Sequence, residues 1–417
     1  MCVITELWPR RITWPDHEKF FSSLIFNEPP LSAESSSPID FMEHWSRGLM
    51  KYSEGPGHAE AVALGFWLRK SNMEKLAQSF KASLGKDEMA VPRGLAFHIA
   101  PSNVDAMFAY SWTLSVLAGN INIVRVSSRA IPGIQRLLAP LANWVDEPAA
   151  QSIIVRNMIV SYPHDDEITR EISSRADVRI IWGGSQTVLN VLSKPGKDAG
   201  HDLRFVDKKS LAIIHAERYN AATRVRQMEL AERFHRDGYT YEQMACSSPR
   251  VVVFVGEPDV CGLVAREFWK RLSEFQLVKP GRSTDVRNMD RILYGAELAA
   301  RGVVTHLARP QQGEAYIMKV EPGDVDHALH ASDFCGGGVF LEVHVRNLSM
   351  ICQFVNRSIQ TLTHAGFDRV QLEKLAAELN GKGIDRIVPF GDGLNFQTTW
   401  DGYPLMTELT RRVVVKA

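Results

Sequence analysis

The residues best suited to chemistry in this chain stand in short loops beside apolar runs. In EQMACSSPRVVVF, Cys246 is followed by two serines, a proline and an arginine, and then by the apolar run Val251 to Phe254. A thiolate is the nucleophilic form of cysteine, and with an ordinary pKa of about 8.5 it needs positive potential or backbone N–H donors to be reactive at neutral pH. A loop position lets the Cys246 sulfur face a cleft. Taken alone, the motif also describes the small buried residue that cysteine most often is. In PSN, Asn103 ends the strand LAFHIA and opens a helix. A side-chain N–H placed there can stabilise an oxyanion, although capping the helix is its plainer role.

Two further strand ends suit a dinucleotide. VRVSSR offers Arg125, Ser127, Ser128 and Arg129, which could hold a ribose and a 2'-phosphate, and the lack of an acidic residue there fits NADP better than NAD. IWGGS offers Gly183, Gly184 and Ser185, where backbone can approach a pyrophosphate, or simply turn. No GxGxxG follows a strand and no GxxxxGK[ST] occurs. DHALHASDFC places His327, His330, Asp333 and Cys335 at metal-like spacings, but without HExxH or CxxC it is read as an exposed helix end, and no metal is assigned. DFCGGG reads as a flexible loop beside the site.

These loops need a scaffold. From Gly94 onward, strands LAFHIAP, INIVRVS, NMIVSYP and VRIIWGG alternate with helices over 104–118, 131–146 and 165–174. Such alternation indicates parallel β-α-β units and a doubly wound sheet, which binds nucleotides at the carboxyl ends of its strands. A second α/β unit begins at KSLAIIHA and continues through a helix over 222–237, RVVVFVG, a helix over 260–277, GGVFLEVHV and a helix near 347–358. Before both lie a Pro/Ser-rich linker at 27–38 and one helical stretch ending near Gly85. Val413 to Val415 form a last apolar strand of the kind that pairs with another domain or subunit.

At 417 residues, two domains are expected. Forty-eight basic residues balance 48 acidic ones, which argues against a nucleic-acid partner. Five irregularly spaced cysteines suit a reducing cytoplasm, and the first twenty residues lack the apolar core of a signal peptide. Ala106 to Val124 is uncharged over 19 residues, but Gly119-Asn120 breaks it into a buried helix and a buried strand, so no membrane span is expected.

Taken in order, VPRGLAFHIAPSN, LAGNINIVRVSS, VRIIWGGS, FVDKKS, QMACSSPR and the closing PFG with MTELTRRVVVK resemble the aldehyde dehydrogenase superfamily, and within it the acyl-CoA reductases of the bacterial bioluminescence type (LuxC). The resemblance spans about 90–417 and implies an aldehyde dehydrogenase-like fold of two doubly wound α/β domains plus a C-terminal oligomerisation strand. The corresponding domains are a peripheral segment 1–55, an NADP-binding domain 56–210, a catalytic domain 211–395 and a bridging strand 396–417. Cys246 becomes the acyl-accepting nucleophile and Asn103 the oxyanion donor, with the backbone N–H of Cys246. Arg125 and Ser128 would lie near the adenine ribose, and Gly184 and Ser185 at the pyrophosphate. The implied activity is NADPH-dependent reduction of an acyl thioester, from CoA or an acyl-protein, in a homo-oligomer with a possible acyl-protein synthetase partner. Alternatives are an acylating aldehyde dehydrogenase for a short or functionalised acyl-CoA, and a cysteine acyltransferase or thioesterase. Hydrolytic aldehyde dehydrogenases keep a water-activating glutamate where Phe205 stands here. The wider superfamily usually has a glutamine two residues before the cysteine, whereas Gln243 stands three before.

Overall fold

The computed structural model describes residues 4–23, 28–32, 35–52, 57–101, 104–278, 285–307, 315–330 and 334–416. The chain forms two compact units, residues 1–206 with 396–417, and residues 207–395.

The first unit contains β1 (Ile4–Trp8), β2 (Thr13–Trp14), β3 (Glu88–Pro92), β4 (Leu95–Ile99), β5 (Ile121–Val126), β6 (Asn157–Ser161), β7 (Val178–Trp182) and β8 (His201–Phe205). Seven of these make one sheet in the order β2-β1-β6-β5-β4-β7-β8, parallel from β6 to β8. The apolar runs of β5, β6 and β7 are almost wholly buried, as expected for parallel strands covered on both faces. Residues 1–55 supply β1 and β2 to the edge, β1 running antiparallel to β6. Trp8 is fully buried there, 5.5 Å from Trp112 between ring centroids. The uncharged stretch from Ala106 opens as the helix Met107–Leu117, buried from Phe108 to Val116, and among the described residues no helix is long and apolar enough to cross a membrane.

Inside this unit lies a buried polar chain. The His98 ring bonds Ser111 Oγ and Asn122 Oδ1, each at 3.0 Å. The Asn122 amide donates to Asn157 Oδ1 at 2.9 Å, and Trp112 Nε1 donates to the same oxygen at 2.8 Å. The chain ties β4, β5, β6 and the covering helix together, and satisfied buried groups of this kind specify one packing.

The second unit contains β9 (Lys209–His215), β10 (Pro249–Val255), β11 (His306–Leu307), β12 (Tyr316–Lys319), β13 (Val339–Val345), β14 (Ile359–Ala365) and β15 (Arg386–Pro389). Its sheet order is β11-β12-β13-β10-β9-β14-β15, parallel except at β11. Both faces are apolar. Val251, Val253 and Val255 of β10 enter one core with Leu341 and Leu362, whereas Val252 and Phe254 enter the other with Phe234 and Phe268.

The chain then returns to the first unit through β16 (Thr399–Trp400), β17 (Tyr403–Pro404) and β18 (Thr410–Val414). β18 pairs antiparallel with β3, apart from the seven-stranded sheet, with Val413 opposite Met89.

Three helices differ from expectation. The stretch ending near Gly85 is two helices, His58–Trp67 and Lys70–Ala82, because Arg69 is extended and Asn72 Nδ2 donates to Phe66 O at 3.0 Å. The helix expected over 131–146 stops at Leu138 and becomes a tight turn at Ala139–Leu141, since Pro140 cannot donate to the ladder. Near 347–358 only a six-residue 3-10 turn forms, Leu348–Gln353, flanked by Asn347 and by Asn356, whose side chain bonds Ser358 N and Asp326.

Candidate active site

In the first unit, strand order reverses between β4 and β7: the chain proceeds from β4 outward to β5 and β6, then crosses back to β7 and β8. A crevice at the carboxyl ends of strands flanking such a switch point is where doubly wound sheets take ligands. Two sequence motifs, VRVSSR and IWGGS, lie at this edge. Pro101 follows β4, while Asn103 lies outside the described residues. At the end of β5, Arg125 donates to Tyr162 O at 3.2 Å and lies 5.4 Å from the Tyr162 ring centroid, and burial lowers its pKa. Ser127 Oγ accepts from Arg129 N at 3.4 Å and caps the turn that carries exposed Ser128 and Arg129.

After β7, Gly183 N–H donates to Phe205 O at 3.0 Å, and Gly184 takes the N-cap of the helix Ser185–Leu192. No side chain caps that helix, and Ser185 at its first position is exposed. Uncapped N–H groups and the helix dipole favour an anion at this end. Phe205 itself is buried and stacked on Trp182, ring centroids 3.9 Å apart and 11° from parallel.

In the second unit, Cys246 is partly exposed on the loop before β10. The loop begins unusually, with Tyr241, Glu242 and Gln243 all left-handed at φ 54, 58 and 66°. For residues bearing a Cβ this conformation is costly and needs support. The support is Gln243, which is fully buried and uses all four hydrogen-bonding positions of its amide. Nε2 donates to Pro249 O at 2.9 Å and Val339 O at 2.7 Å, and Oε1 accepts from Gly338 N at 2.9 Å and Val339 N at 3.0 Å. One side chain therefore joins both ends of the Cys246 loop to the start of β13. Ser210 Oγ adds a 2.7 Å bond to Cys246 O, and Ser248 N closes a turn on Ala245 O at 3.0 Å.

The glycines after Cys335, expected to form a flexible loop, are packed against this turn. Gly337 N donates to Glu242 O at 2.9 Å. Gly336 (φ 68°) comes so close that a Cβ there would lie 2.4 Å from Glu242 O, which only glycine avoids. Of the metal-like group, Asp333 lies outside the described residues, and His330 Nδ1 lies 2.8 Å from Asp326 O. Among the described residues no cluster of three metal-type ligands occurs.

Arg250 is close enough to Cys246, Cys335, Asp207 and Tyr294 to interact with each electrostatically, and its guanidinium carbon lies 4.2 Å from the Phe334 ring centroid. Burial, reinforced by Arg250, lowers the Lys209 ammonium to about 8. Burial raises the Cys335 thiol to about 11. Sequence reasoning had not assigned Gln243, Ser210 or Arg250 any part in holding the cysteine. The left-handed turn and the strand pairing that recruit them are tertiary, and the only local signal was a glutamine just upstream of the cysteine.

A family model described as acyl-CoA reductase (LuxC) matches residues 73–412. The long-chain acyl-protein thioester reductase of Aliivibrio fischeri is 27% identical over 311 residues, 72% of this chain and 59% of the relative, so the match spans less than two thirds of that protein. Among solved structures, aldehyde dehydrogenase 21 from Physcomitrella patens, in complex with the reaction product succinate, superposes with a TM-score of 0.69 at 10% identity, covering 97% of this chain and 91% of that one. A putative aldehyde dehydrogenase from Burkholderia cenocepacia gives 0.64 at 15% identity, covering 97% and 93%. At these identities the superpositions establish the aldehyde dehydrogenase fold.

Proposed function

This chain belongs to the acyl-CoA reductase (LuxC) family, and on that premise we propose that it reduces an acyl thioester to the aldehyde through an acyl group carried on Cys246. The observation that carries the proposal is the Cys246 loop itself: a partly exposed cysteine on a turn fixed by four bonds from one buried glutamine, with the Arg250 guanidinium close enough to interact with it.

In the proposed reaction the Cys246 thiolate attacks the thioester carbonyl. On this reading Asn103, with the Cys246 backbone N–H, would hold the oxyanion, and the donor thiol leaves, taking a proton from solvent. A bound NADPH would supply one hydride to the acyl carbon, giving a hemithioacetal oxyanion on Cys246. Its collapse releases aldehyde and restores the thiolate. Arg125, Ser127, Ser128 and Arg129 would hold the ribose and 2'-phosphate, and Gly183, Gly184 and Ser185 the pyrophosphate at the uncapped helix end. Phe205 stacked on Trp182 supplies no carboxylate to activate water, which favours discharge by hydride over hydrolysis.

The same proposal takes the donor as a long acyl chain on CoA or on a protein, with a synthetase partner as its source, in the cytoplasm. A homo-oligomer is supported by Val413, Val414 and Val415, which stand exposed on β18 and just beyond it. The test is acyl uptake from a radiolabelled acyl thioester, followed by NADPH addition with absorbance read at the nicotinamide band. Wild type should be labelled and then oxidise NADPH while releasing aldehyde, and Cys246→Ala should do neither. Labelling of Cys246→Ala would refute the nucleophile, whereas labelling without NADPH oxidation would indicate an acyltransferase or thioesterase.

A further inference from the structure

Taking Cys246 as the nucleophile, we infer that Arg250 is a positioning residue that holds its sulfur as the thiolate. Three observations on the second unit lead there. First, the pairing of β10 with β9 slips at Arg250: Pro249 stands opposite Ser210 and Val251 opposite Leu211, so Arg250 is the extra residue of a bulge. A bulge re-aims the side chain it carries. Here it takes Arg250 out of the alternation that sends Val251 into one core and Val252 into the other, and the guanidinium lies over Phe334 at 4.2 Å. Second, Ser210, the residue opposite the bulge, holds Cys246 O at 2.7 Å, so bulge and cysteine loop are fixed to one point of β9. Third, the side chain of Arg250, a partly exposed residue, makes no hydrogen bond or ion pair among the described residues, and its Nε is buried without a partner.

A buried guanidinium N–H without a partner costs free energy, so Nε and the charge it shares favour an anion nearby. The groups facing it are few. β9 and the residues before it bring Asp207, which is exposed, and Lys209, a second cation that also faces Asp326. The helix Asp285–Ala300 brings Tyr294 to Arg250, while its Arg291 and Asp290 face Cys335. Tyr294 and Cys335 are both neutral at pH 7, their ionisation pushed up to about 12 and about 11 by burial. Cys246 remains as the partly exposed thiol able to supply the charge. Phe334 covers one face of the guanidinium and keeps water off it, which strengthens the attraction.

The experiment needs no acyl substrate. The rate at which iodoacetamide alkylates Cys246, with the thiolate displacing iodide, is followed from pH 5 to 10 by peptide mass in wild type, Arg250→Met, Arg250→Gln and Arg250→Lys. The wild-type midpoint should lie below the ordinary cysteine value of about 8.5. The Met and Gln variants should move it up by about one unit, slowing alkylation at pH 7 about tenfold. Arg250→Lys, which keeps the charge, should stay near wild type. A merely structural arginine would change melting temperature in all three without ordering their midpoints by charge. A wild-type midpoint at or above about 8.5 overturns the inference whether or not the variants fold. So do folded Met or Gln variants that titrate like wild type. Failure here with intact acyl labelling would leave Cys246 the nucleophile and remove only Arg250, whereas labelling of Cys246→Ala would remove the nucleophile whatever Arg250 does.

Discussion

Replacing Gln243 by glutamate changes one NH2 group for one oxygen and so isolates the polarity of the clamp on the cysteine loop. In wild type the two donors of that amide serve Pro249 O and Val339 O at 2.9 and 2.7 Å. A carboxylate would set an anionic oxygen against both carbonyls in a fully buried position. To remain in place it must bind a proton. At pH 7 this costs a glutamate of ordinary pKa about 4.3 roughly 2.7 units, or about 3.7 kcal/mol. A protonated carboxyl still donates only one of the two bonds, and the carbonyl left over adds about 1 kcal/mol. The expected loss is therefore about 4–5 kcal/mol at pH 7, falling to about 1 kcal/mol near pH 4. The sign follows from linkage: the variant carboxyl has a raised folded pKa, so its stability is intact below about 4.3 and drains away as pH rises. Urea unfolding of wild type and variant at pH 7 and pH 4.5 measures the difference directly. Cys246 alkylation at pH 7 should change in parallel, because the same bonds place the sulfur. A variant within about 1 kcal/mol of wild type at pH 7, with unchanged Cys246 alkylation, would refute the clamp.

Other expectations concern the two units separately. Burial lowers the His98 imidazole to about 4 from 6.5, so its contribution is present above about 6.5 and is lost as pH falls toward 4. Between pH 7 and 5, wild type should lose about 2 kcal/mol more unfolding free energy than His98→Gln; equal losses would mean that His98 is protonated in the fold. Asp237 accepts from Gly391 N at 2.7 Å and Gly393 N at 2.9 Å, holding the PFGDG turn. Asp237→Asn turns an amide against one of these N–H groups and should cost about 1–3 kcal/mol in thermal or urea melts. Burial pushes Cys261 and Cys335 up to about 11 and raises Cys352. Iodoacetamide at pH 7.5 should therefore mark Cys246 before these three, and prior labelling of any of them contradicts that order. Asn103→Ala should fold normally yet lose about 100- to 1,000-fold in turnover, as removal of one oxyanion donor typically does; turnover within a few-fold of wild type would deny it that part.

Much of the scaffold was legible because parallel strands covered on both faces read as near-continuous apolar runs, as INIVRV, NMIVS, VRIIW and PRVVVFV do. The loops at their ends announced themselves by residue type: Ser127 to Arg129 after β5, Gly183 to Ser185 after β7 and Cys246 before β10. Helix ends were read less well where a single side chain decided them, as Asn72 does by taking the carbonyl of Phe66.

What the sequence determined by itself was thus the alternation of elements, the thiol and the strand-end motifs, all of which follow from local pattern and residue chemistry. Only the tertiary structure decided how the thiol is held. Gln243 acts on Val339, 96 positions away, and Ser210 on Cys246 across 36. Arg250 leaves the alternation only because β10 slips against β9. Hydrogen bonds between distant strands, and the register in which those strands meet, depend on the packing of both sheet faces at once, and no window of local sequence contains that information.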